Sequence, residues 1–595
     1  MKCLIQIPIP RRKKNRSIQV MDDLNITIPT KPKRRLLPND FEVSTWDKLK
    51  PYFEELKNRP ICSKQELLDW MSDRSELEAV LSEDAGWRYI KMTIDTTDEA
   101  LAESYRTFVT EIHPHSAAYQ DLFNRKFVES EFSKSLVGKE FELHNRELTK
   151  AIELFREENI LLAAEVAQES QKFGALSGAQ SIQLDGNEFT MQQAAKELKN
   201  QDRDHRKHVF EKMMSRRMLD REALDDLFDV LLGLRNKIAL NADFNNFRDY
   251  KFESMGRFDY TVQDCFDFHE SIEKEIVPII TEFNKARKAA LSYDVLLPYD
   301  LEVDPEGNNA LKPFDGGEEL LQKSMQLFYK IHPYFGECLE TMKEMGHLDL
   351  DSKQGKAPGG YNYPLYEIGV PFIFMNSVGT QRDLITMVHE GGHAVHSFLT
   401  RELKLTAFKS LPSEVAELAS MSMELISMEF WDIFYSDKNE LKRAKRDQLE
   451  TLLKILPWVA TVDKFQHWIY TNPEHTKSER TEAWNEISTT FSGGLVDWSG
   501  YPEAKSSSWQ RQLHIFEVPF YYIEYGMAQL GAIAVWRNYK QDPEKALEHY
   551  IAALKLGSTR SIPEVYETAG IQFDFSREYV RELVSFVISE LEQLK

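Results

Sequence analysis

Residues 384–399 read LITMVHEGGHAVHSFL, and the interpretation of the whole chain starts from this stretch. Apolar residues flank its polar centre at helical spacing, which predicts a buried α-helix. His389 and His393 are four positions apart, so a helix places both imidazoles on one face, about 6 Å apart along the axis. Side chains of this length can converge on one ion, and neutral imidazole suits Zn²⁺.

Glu390 follows the first histidine and is not needed as a ligand. Beside an ion it can take a proton from a metal-bound water, as in the HExxH pattern. Burying two histidines and a glutamate without partners is costly. Gly391 and Gly392 each cost the helix up to about 1 kcal/mol relative to alanine, which indicates that a neighbouring element comes close. The pattern therefore favours a metal site over satisfied core histidines.

A catalytic zinc needs a third protein ligand, and LPSEVAELASMSMELISMEFW, residues 411–431, follows downstream. Its candidate carboxylates are Glu414, Glu417 and Glu424. The intervening chain is long enough for the first helix to end and for a second to return antiparallel, with Pro412 at its start. Spacing alone does not choose among the three carboxylates.

His396 is a further histidine of the same helix. It lies three positions after His393, but about 10 Å from His389 along the axis. One ion cannot easily be shared by all three histidines. We therefore interpret His396 as a packing or supporting residue.

A second constellation lies in SWQRQLHIFEVPFYYIEYGMAQLGA, residues 508–532. His514, Tyr521, Tyr522 and Tyr525 fall within twelve positions, and the last two share a helix face. Such groups can donate hydrogen bonds to the oxyanion that forms when water attacks a peptide carbonyl. Periodicity alone favours the alternative of an aromatic core stripe.

The composition limits the function classes. Lys and Arg number 74 against 96 Asp and Glu, a formal charge of −22, which argues against nucleic-acid or membrane-surface binding because those partners are polyanionic. The four cysteines form no CxxC pair, which fits a reducing compartment and a cytoplasmic location. We find no apolar run of about 18 residues and therefore predict no membrane span.

The chain is expected to have three parts. Residues 1–36 hold ten Lys/Arg against two Asp/Glu and are interpreted as a basic, disordered tail, with a targeting arm as the alternative. We expect an N-terminal helical region over 37–200 and a catalytic region over 201–595. The boundary carries no Gly/Ser linker.

Helical periodicity dominates after about residue 40, which predicts a mainly α fold. A β-hairpin is expected around Gly186-Asn187. The segment 355–379 is rich in Gly and Pro and ends in an apolar run, which predicts a small antiparallel β element.

Three motifs occur in order: HEGGH at 389–393, EVAELASMSMEL at 414–425 and HIFEVPFYYIEYG at 514–526. Together they resemble the oligoendopeptidase F branch of the thimet oligopeptidase family of zinc metallopeptidases. The likeness covers most of the chain from about residue 38. It implies a large clefted helical fold that admits short peptides and excludes folded proteins.

The resemblance also implies residue roles. The family pattern Glu-x-x-Ser-x-x-x-Glu matches residues 417–424, which makes Glu417 the third ligand and Glu424 a residue that orients a ligand histidine. The substrate-gripping His and Tyr residues of the family map onto His514, Tyr522 and Tyr525, whereas the role of Tyr521 is left open.

The resemblance further implies that residues 355–376 form a loop and an edge strand against which substrate lies extended. Many members carry a bulky residue where Gly391 stands here. This departure leaves the metal and base positions untouched and bears only on the shape of the pocket.

We therefore expect a metalloendopeptidase that cuts short oligopeptides, with one Zn²⁺ per chain held by His389, His393 and Glu417. Glu390 is expected to activate the metal-bound water. The expected partners are oligopeptide substrates, and the oligomeric state is open. Three alternatives remain: an aminopeptidase that uses Glu414 as ligand, a helical peptide-binding protein without catalysis, and a structural scaffold.

Overall fold

The computed structural model describes residues 28–594. Helices make up 69% of the structure, which confirms the predicted mainly α fold. Among the described residues, no helix combines the length and the apolar character that crossing a bilayer requires.

Residues 1–27 of the predicted basic tail lie outside the described residues. The rest of that tail, 28–36, is an ordered arm instead of a free end. Lys31 lies 2.7 Å from a Glu367 oxygen and 2.9 Å from Glu83, and Arg34 lies 2.6 Å from the other Glu367 oxygen. Both carboxylates are buried, so these contacts neutralise charges that would otherwise be costly to bury.

The N-terminal region is built from helices around its own aromatic core. Ser63 caps the longest helix of this region by accepting a hydrogen bond from the Glu66 N–H at 3.2 Å. In this core the ring of Phe53 stacks on that of Phe123, and Trp70 meets Phe123 edge-on. The helices in the first part of the chain are α1 (Trp46–Asn58), α2 (Lys64–Ile94), α3 (Glu99–Thr107), α4 (His113–Val128), α5 (Lys139–Leu154), α6 (Glu158–Gly178), α7 (Met191–Glu197) and α8 (Arg203–Leu219). The aromatic core is formed by α1, α2, α4 and α5, whereas α6 joins the main core and α7 and α8 pack around a small separate core.

The predicted hairpin lies between α6 and α7. Strand β1 (Ser181–Leu184) pairs antiparallel with β2 (Asn187–Thr190). The turn is Asp185-Gly186, with φ of 50° and 83°, so it begins one residue earlier than the Gly-Asn pair predicts. Asp-Gly is a preferred pair for a two-residue turn with positive φ at both positions.

The remaining helices bury a second, much larger core. In the middle of the chain they are α9 (Arg221–Asn241), α10 (Phe247–Ser254), α11 (Val262–Glu275), α12 (Val277–Ala290), α13 (Gly316–Ile331) and α14 (Pro333–Glu344). After the sheet they are α15 (Gln381–Thr400), α16 (Thr406–Lys409), α17 (Ser413–Ser427), α18 (Lys438–Thr471), α19 (Lys477–Phe491), α20 (Pro502–Ser506), α21 (Leu513–Glu517), α22 (Tyr522–Gln541), α23 (Pro543–Leu554), α24 (Ile562–Thr568) and α25 (Arg577–Gln593).

A three-stranded sheet precedes α15. Strand β5 (Phe372–Ser377) lies in the middle, with β4 (Tyr361–Tyr363) antiparallel on one side. This pair confirms the predicted small antiparallel element. A further strand, β3 (Leu348–Asp351), pairs parallel on the other side. The Lys356 ammonium is fully buried and joins β3 to β5 by donating to Asp349 and to backbone carbonyls of both strands.

The approach of α15 to α17 explains one glycine of the HEGGH stretch. A Cβ at Gly392 would lie 2.7 Å from the Ser420 Cα and 3.1 Å from the Ala419 carbonyl oxygen. Those atoms belong to the α17 backbone, which cannot move aside as a side chain can. A Cβ at Gly391 would instead lie 2.5 Å from the ring of Phe328 in the core. Glycine at position 391 therefore leaves room for the Phe328 ring of α13 in the core.

Candidate metal centre

Helix α15 presents His389 and His393 on one face, as the spacing predicts. Thr380 and Asp383 form a capping box at its start, which satisfies the first free N–H groups of the helix. The two imidazole centroids lie 4.8 Å apart, with the rings at 87° to each other. Both side chains are partly shielded from solvent.

Glu417 of α17 completes a donor set with these histidines. Its Oε2 lies 3.4 Å from Nε2 of His389 and 3.9 Å from Nε2 of His393. One ligand atom from each of the three residues lies within 4.8 Å of the other two. Ligand atoms around a tetrahedral zinc are separated by about 3.3–3.8 Å. The chemistry and spacing of the three donors therefore fit Zn²⁺.

The alternative ligand Glu414 points elsewhere. Its Oε1 accepts a hydrogen bond of 2.7 Å from the Tyr260 hydroxyl, and the side chain is buried. Glu414 lies about one turn before Glu417 on α17, and the contact with Tyr260 holds its carboxylate away from the histidines. The structure does not bring it into the donor set.

Glu424 lies behind His389. Its Oε1 is 2.7 Å from Nδ1 of His389, and its Oε2 accepts a hydrogen bond of 2.9 Å from the Gln448 amide. When His389 donates its Nδ1–H to Glu424, its Nε2 is the ring nitrogen with a free lone pair. That lone pair is directed at Glu417. Burial lowers the pKa of His389, but the Glu424 hydrogen bond and the nearby carboxylates outweigh it and raise the pKa to about 10. The carboxylates that favour a proton on this ring also favour a metal cation beside it.

Glu390 lies beside the donor set and is 7% exposed. Burial raises the pKa of Glu390, and the negative charge of Glu417 raises it further. His389 and a backbone hydrogen bond from Asn362 lower it, and the resulting pKa is about 7. Asn362 belongs to the edge strand β4. The sheet thus reaches the carboxylate that the sequence predicts as the base.

His396 is fully buried. Burial lowers its pKa to about 3, so the ring is neutral at physiological pH. It is not part of the donor set. This agrees with its interpretation as a packing residue.

The predicted aromatic constellation is assembled at the junction of α21 and α22. The ring of His514 lies 4.7 Å from that of Tyr522 and 5.8 Å from that of Tyr525, measured between centroids. Tyr521 lies 5.4 Å from Tyr525. Gln512 donates from its amide to Nδ1 of His514 at 2.6 Å, which leaves Nε2 of a neutral ring to carry the proton.

Two of these groups, Tyr521 and Tyr525, lie close enough to Glu417 for its charge to affect their pKa values. Helix α22 packs along α17, and the carboxylate of Glu417 contributes to the raised pKa values of Tyr521 and Tyr525, after the larger effect of burial. Burial also raises the pKa of Tyr522 to about 12 and lowers that of His514 to about 4. The phenols are therefore protonated and the imidazole neutral at pH 7, so all are hydrogen-bond donors.

Comparisons with known proteins identify the family of the chain. Residues 197–585 match peptidase family M3, and residues 38–155 match the peptidase M3 N-terminal domain. The chain belongs to peptidase family M3.

Relatives in the M3 family include an oligoendopeptidase F homolog of Borreliella burgdorferi, 22% identical over 329 residues, which are 54% of this chain and 54% of the relative. Oligopeptidase PepF of Bacillus subtilis is 24% identical over 308 residues, 51% of this chain and 44% of the relative. The chain spans about half the length of the curated relatives it matches. The solved structure of PZ peptidase A with an inhibitor has a TM-score of 0.86 and 27% identity, and covers 93% of this chain and 98% of that one. The predicted resemblance to oligoendopeptidase F is confirmed.

Two residues of this M3 site were not found from the sequence. Gln448 lies within the long helix α18, where its polar side chain looks like any solvated helix position. Asn362 acts through its backbone, which carries no residue-type signal. The roles of both residues can be recognised only in the folded structure, where elements distant in sequence lie next to each other.

Proposed function

We propose that this M3 chain is a zinc-dependent endopeptidase that hydrolyses internal bonds of short peptides. The observation that carries the proposal is the convergence of two Nε2 atoms and one Oε2 atom beside the buried carboxylate of Glu390. His389, His393 and Glu417 would hold the ion, and three protein ligands leave a position open, as catalytic zinc sites require. When bound there, Zn²⁺ supplies a Lewis acid that polarises the reacting oxygens.

Glu390 would move the proton in this reaction. A carboxylate with a pKa near neutrality can accept a proton from the attacking water and then donate it to the leaving amine. Its burial keeps bulk water away and strengthens its interaction with neighbouring charges. The Asn362 N–H of β4 would hold the carboxylate in place.

His514, Tyr522 and Tyr525 would stabilise the substrate oxygen that gains negative charge. All three present polar hydrogens in a partly buried setting, where hydrogen bonds to a developing charge are strong. The Trp458 N–H donates to Gln512 at 2.8 Å, and Gln512 in turn fixes the His514 ring. Preorganisation of this kind lowers the cost of binding the transition state.

Substrate would lie extended along β4. This strand is an edge of the sheet, so its outer backbone groups can pair with a peptide regardless of sequence. Asn362 of the same strand lies close enough to Glu390 to lower its pKa, so a peptide on this strand would have its scissile bond near the base. The division into an N-terminal region over 37–200 and a catalytic region over 201–595 remains part of this proposal.

A peptide library tests the proposal. We expect wild type to yield internal cleavage products by mass spectrometry, to lose activity on chelation and to regain it with Zn²⁺. Glu417→Gln should lose the metal, whereas the matched variant Glu414→Gln should keep it. Release of single terminal residues, together with loss of metal from Glu414→Gln, would support the aminopeptidase alternative instead.

A further inference from the structure

A second cluster of metal-binding side chains lies between helices α11 and α18. Cys265 and His269 are four residues apart on α11, and Asp463 and His467 are four residues apart on α18. The two helices pack against each other. Each pair occupies one helix face, so both faces meet in the interface, which is how metal sites are built inside helical bundles.

The four side chains lie close together around the Asp463 carboxylate. Ligand atoms of Cys265, Asp463 and His467 all lie within 4.8 Å of one another. Nε2 of His269 lies 2.8 Å from Oδ2 of Asp463, and Nε2 of His467 lies 3.2 Å from the same oxygen. All four residues are at most 3% exposed. Tetrahedral zinc ligands are separated by about 3.3–3.8 Å, so the present spacing needs only small side-chain rotations.

The hydrogen bonds of this cluster are incomplete. Within residues 28–594, Oδ1 of Asp463, Nδ1 of His269 and Nδ1 of His467 have no hydrogen-bond partner, and the 3.2 Å contact between Nε2 of His467 and Asp463 is not a hydrogen bond. Buried polar atoms are seldom left in this state, and each such atom requires an explanation. Lone pairs on a carboxylate, an imidazole and a thiol are also the donors that a borderline metal ion prefers.

The cluster also contains a buried carboxylate. Asp463 is completely buried, and its ion pairs among the described residues are with the two histidines, with no Lys or Arg partner. Burying a carboxylate is costly unless a charged imidazole or a metal ion compensates it. A divalent ion bound by the Cys265 thiolate and the Asp463 carboxylate would make the cluster neutral.

We propose that Cys265, Asp463 and His467 bind a second, structural transition-metal ion of the Zn²⁺ class, with His269 holding the Asp463 carboxylate in position. On binding, the Cys265 thiol releases its proton to solvent and the thiolate bonds to the metal. The site is separate from His389, His393 and Glu417, since no residue is shared. Its ligands come from α11 and α18, whereas the other site is built from α15 and α17.

The position of the cluster indicates what such an ion does. The His467 ring lies 5.3 Å from the ring of Phe520, and the neighbouring Gln466 accepts the Phe520 N–H at 2.8 Å. Phe520 has a φ of 68° and directly precedes Tyr521 and Tyr522. Clamping α18 to α11 therefore supports the strained turn that presents the aromatic groups to the proposed active site.

Cobalt spectroscopy tests this site separately from catalysis. A thiolate bound to Co²⁺ gives an intense near-ultraviolet charge-transfer band, which a His₂Glu site cannot give. We expect the untagged wild-type chain to bind two Co²⁺ and to show this band. His389→Ala should bind one Co²⁺ and keep the band, so failure of the proposed peptidase function would not remove it.

Two cysteine variants complete the experiment. Cys265→Ser should lose the band and one metal equivalent, whereas Cys338→Ser, which replaces another buried cysteine, should lose neither. His269→Gln should weaken the second affinity by about 10–100-fold. The proposal would be overturned if the wild-type chain shows no thiolate band, whether it binds one Co²⁺ or two. The wild-type result decides the matter even if Cys265→Ser fails to fold.

Discussion

Nδ1 of His389 lies 2.7 Å from Oε1 of Glu424, and the second oxygen of Glu424 is held by Gln448. This contact orients the imidazole so that Nε2 faces Glu417. Three helices, α15, α17 and α18, therefore determine where the lone pair on Nε2 of His389 points. The proposed metal affinity therefore depends on residues that do not touch the ion.

Replacing Glu424 tests this dependence. We expect Glu424→Ala to weaken zinc binding by about 10–100-fold, because the ring of His389 loses the partner that fixes its tautomer and orientation. Competition with a chromophoric chelator measures the affinity. Glu402→Gln, at a side chain that is 89% exposed, serves as the control and should leave the affinity unchanged. An unaltered affinity in Glu424→Ala would show that the contact does not orient the ligand.

Gly392→Ala tests the close approach of α15 and α17. The new Cβ meets backbone atoms at 2.7 Å, so the helices must separate, and we expect a loss of about 1–3 kcal/mol in the free energy of unfolding. Gly174→Ala is the matched control, because that helical position has open space around it. Helix propensity predicts that this control is neutral or stabilising by up to about 1 kcal/mol. Equal denaturation midpoints for the two variants would contradict the packing argument.

His514→Gln tests the protonation state of the second constellation. Burial lowers the pKa of His514 to about 4, so the ring is already neutral between pH 5 and pH 8. We expect kcat to fall by about 10–10³-fold while the shape of the pH profile stays the same. If the acidic limb of kcat/KM disappears in the variant, then His514 titrates in that range and its assignment as a neutral donor is wrong.

Tyr525→Phe tests the phenol as a donor to the reacting oxygen. Burial holds the pKa of Tyr525 well above its usual value, so its proton is retained at neutral pH. Removing the hydroxyl should lower kcat by about 10–10³-fold with the zinc content unchanged. Tyr539→Phe, at the far end of the same helix, should have wild-type activity. Similar rates for the two variants would mean that Tyr525 only packs.

Much of the site follows from local sequence, because helical spacing determines which residues share a face. His389, His393 and Glu390 lie where the HExxH pattern puts them. Spacing left Glu414, Glu417 and Glu424 as possible third ligands, and Glu424 contacts the far side of His389 instead. The structure separates Glu414 from Glu417 through the Tyr260 hydroxyl, which binds Glu414 and comes from a helix boundary more than 150 positions away.

Other features depend on contacts that no local pattern encodes. The role of Gln448 comes from the packing of α18 on α17, and β3 joins the sheet through parallel pairing with a distant strand. The hairpin turn was predicted one residue late because Asp185 and Gly186 both adopt positive φ. In contrast, the sequence did indicate that Gly392 is needed for packing, because a glycine inside a helix is destabilising and nothing local explains its presence.

The most direct test of the central claim is to compare wild type with Glu390→Gln on a quenched fluorescent peptide of about ten residues, with the metal content of both determined. The account predicts that both proteins hold zinc at the His389 site, that wild type cuts the peptide internally, and that the variant loses at least about 10²-fold in kcat because it has no base. A wild-type chain that holds zinc but cuts no peptide, or a Glu390→Gln variant with full activity, would contradict it.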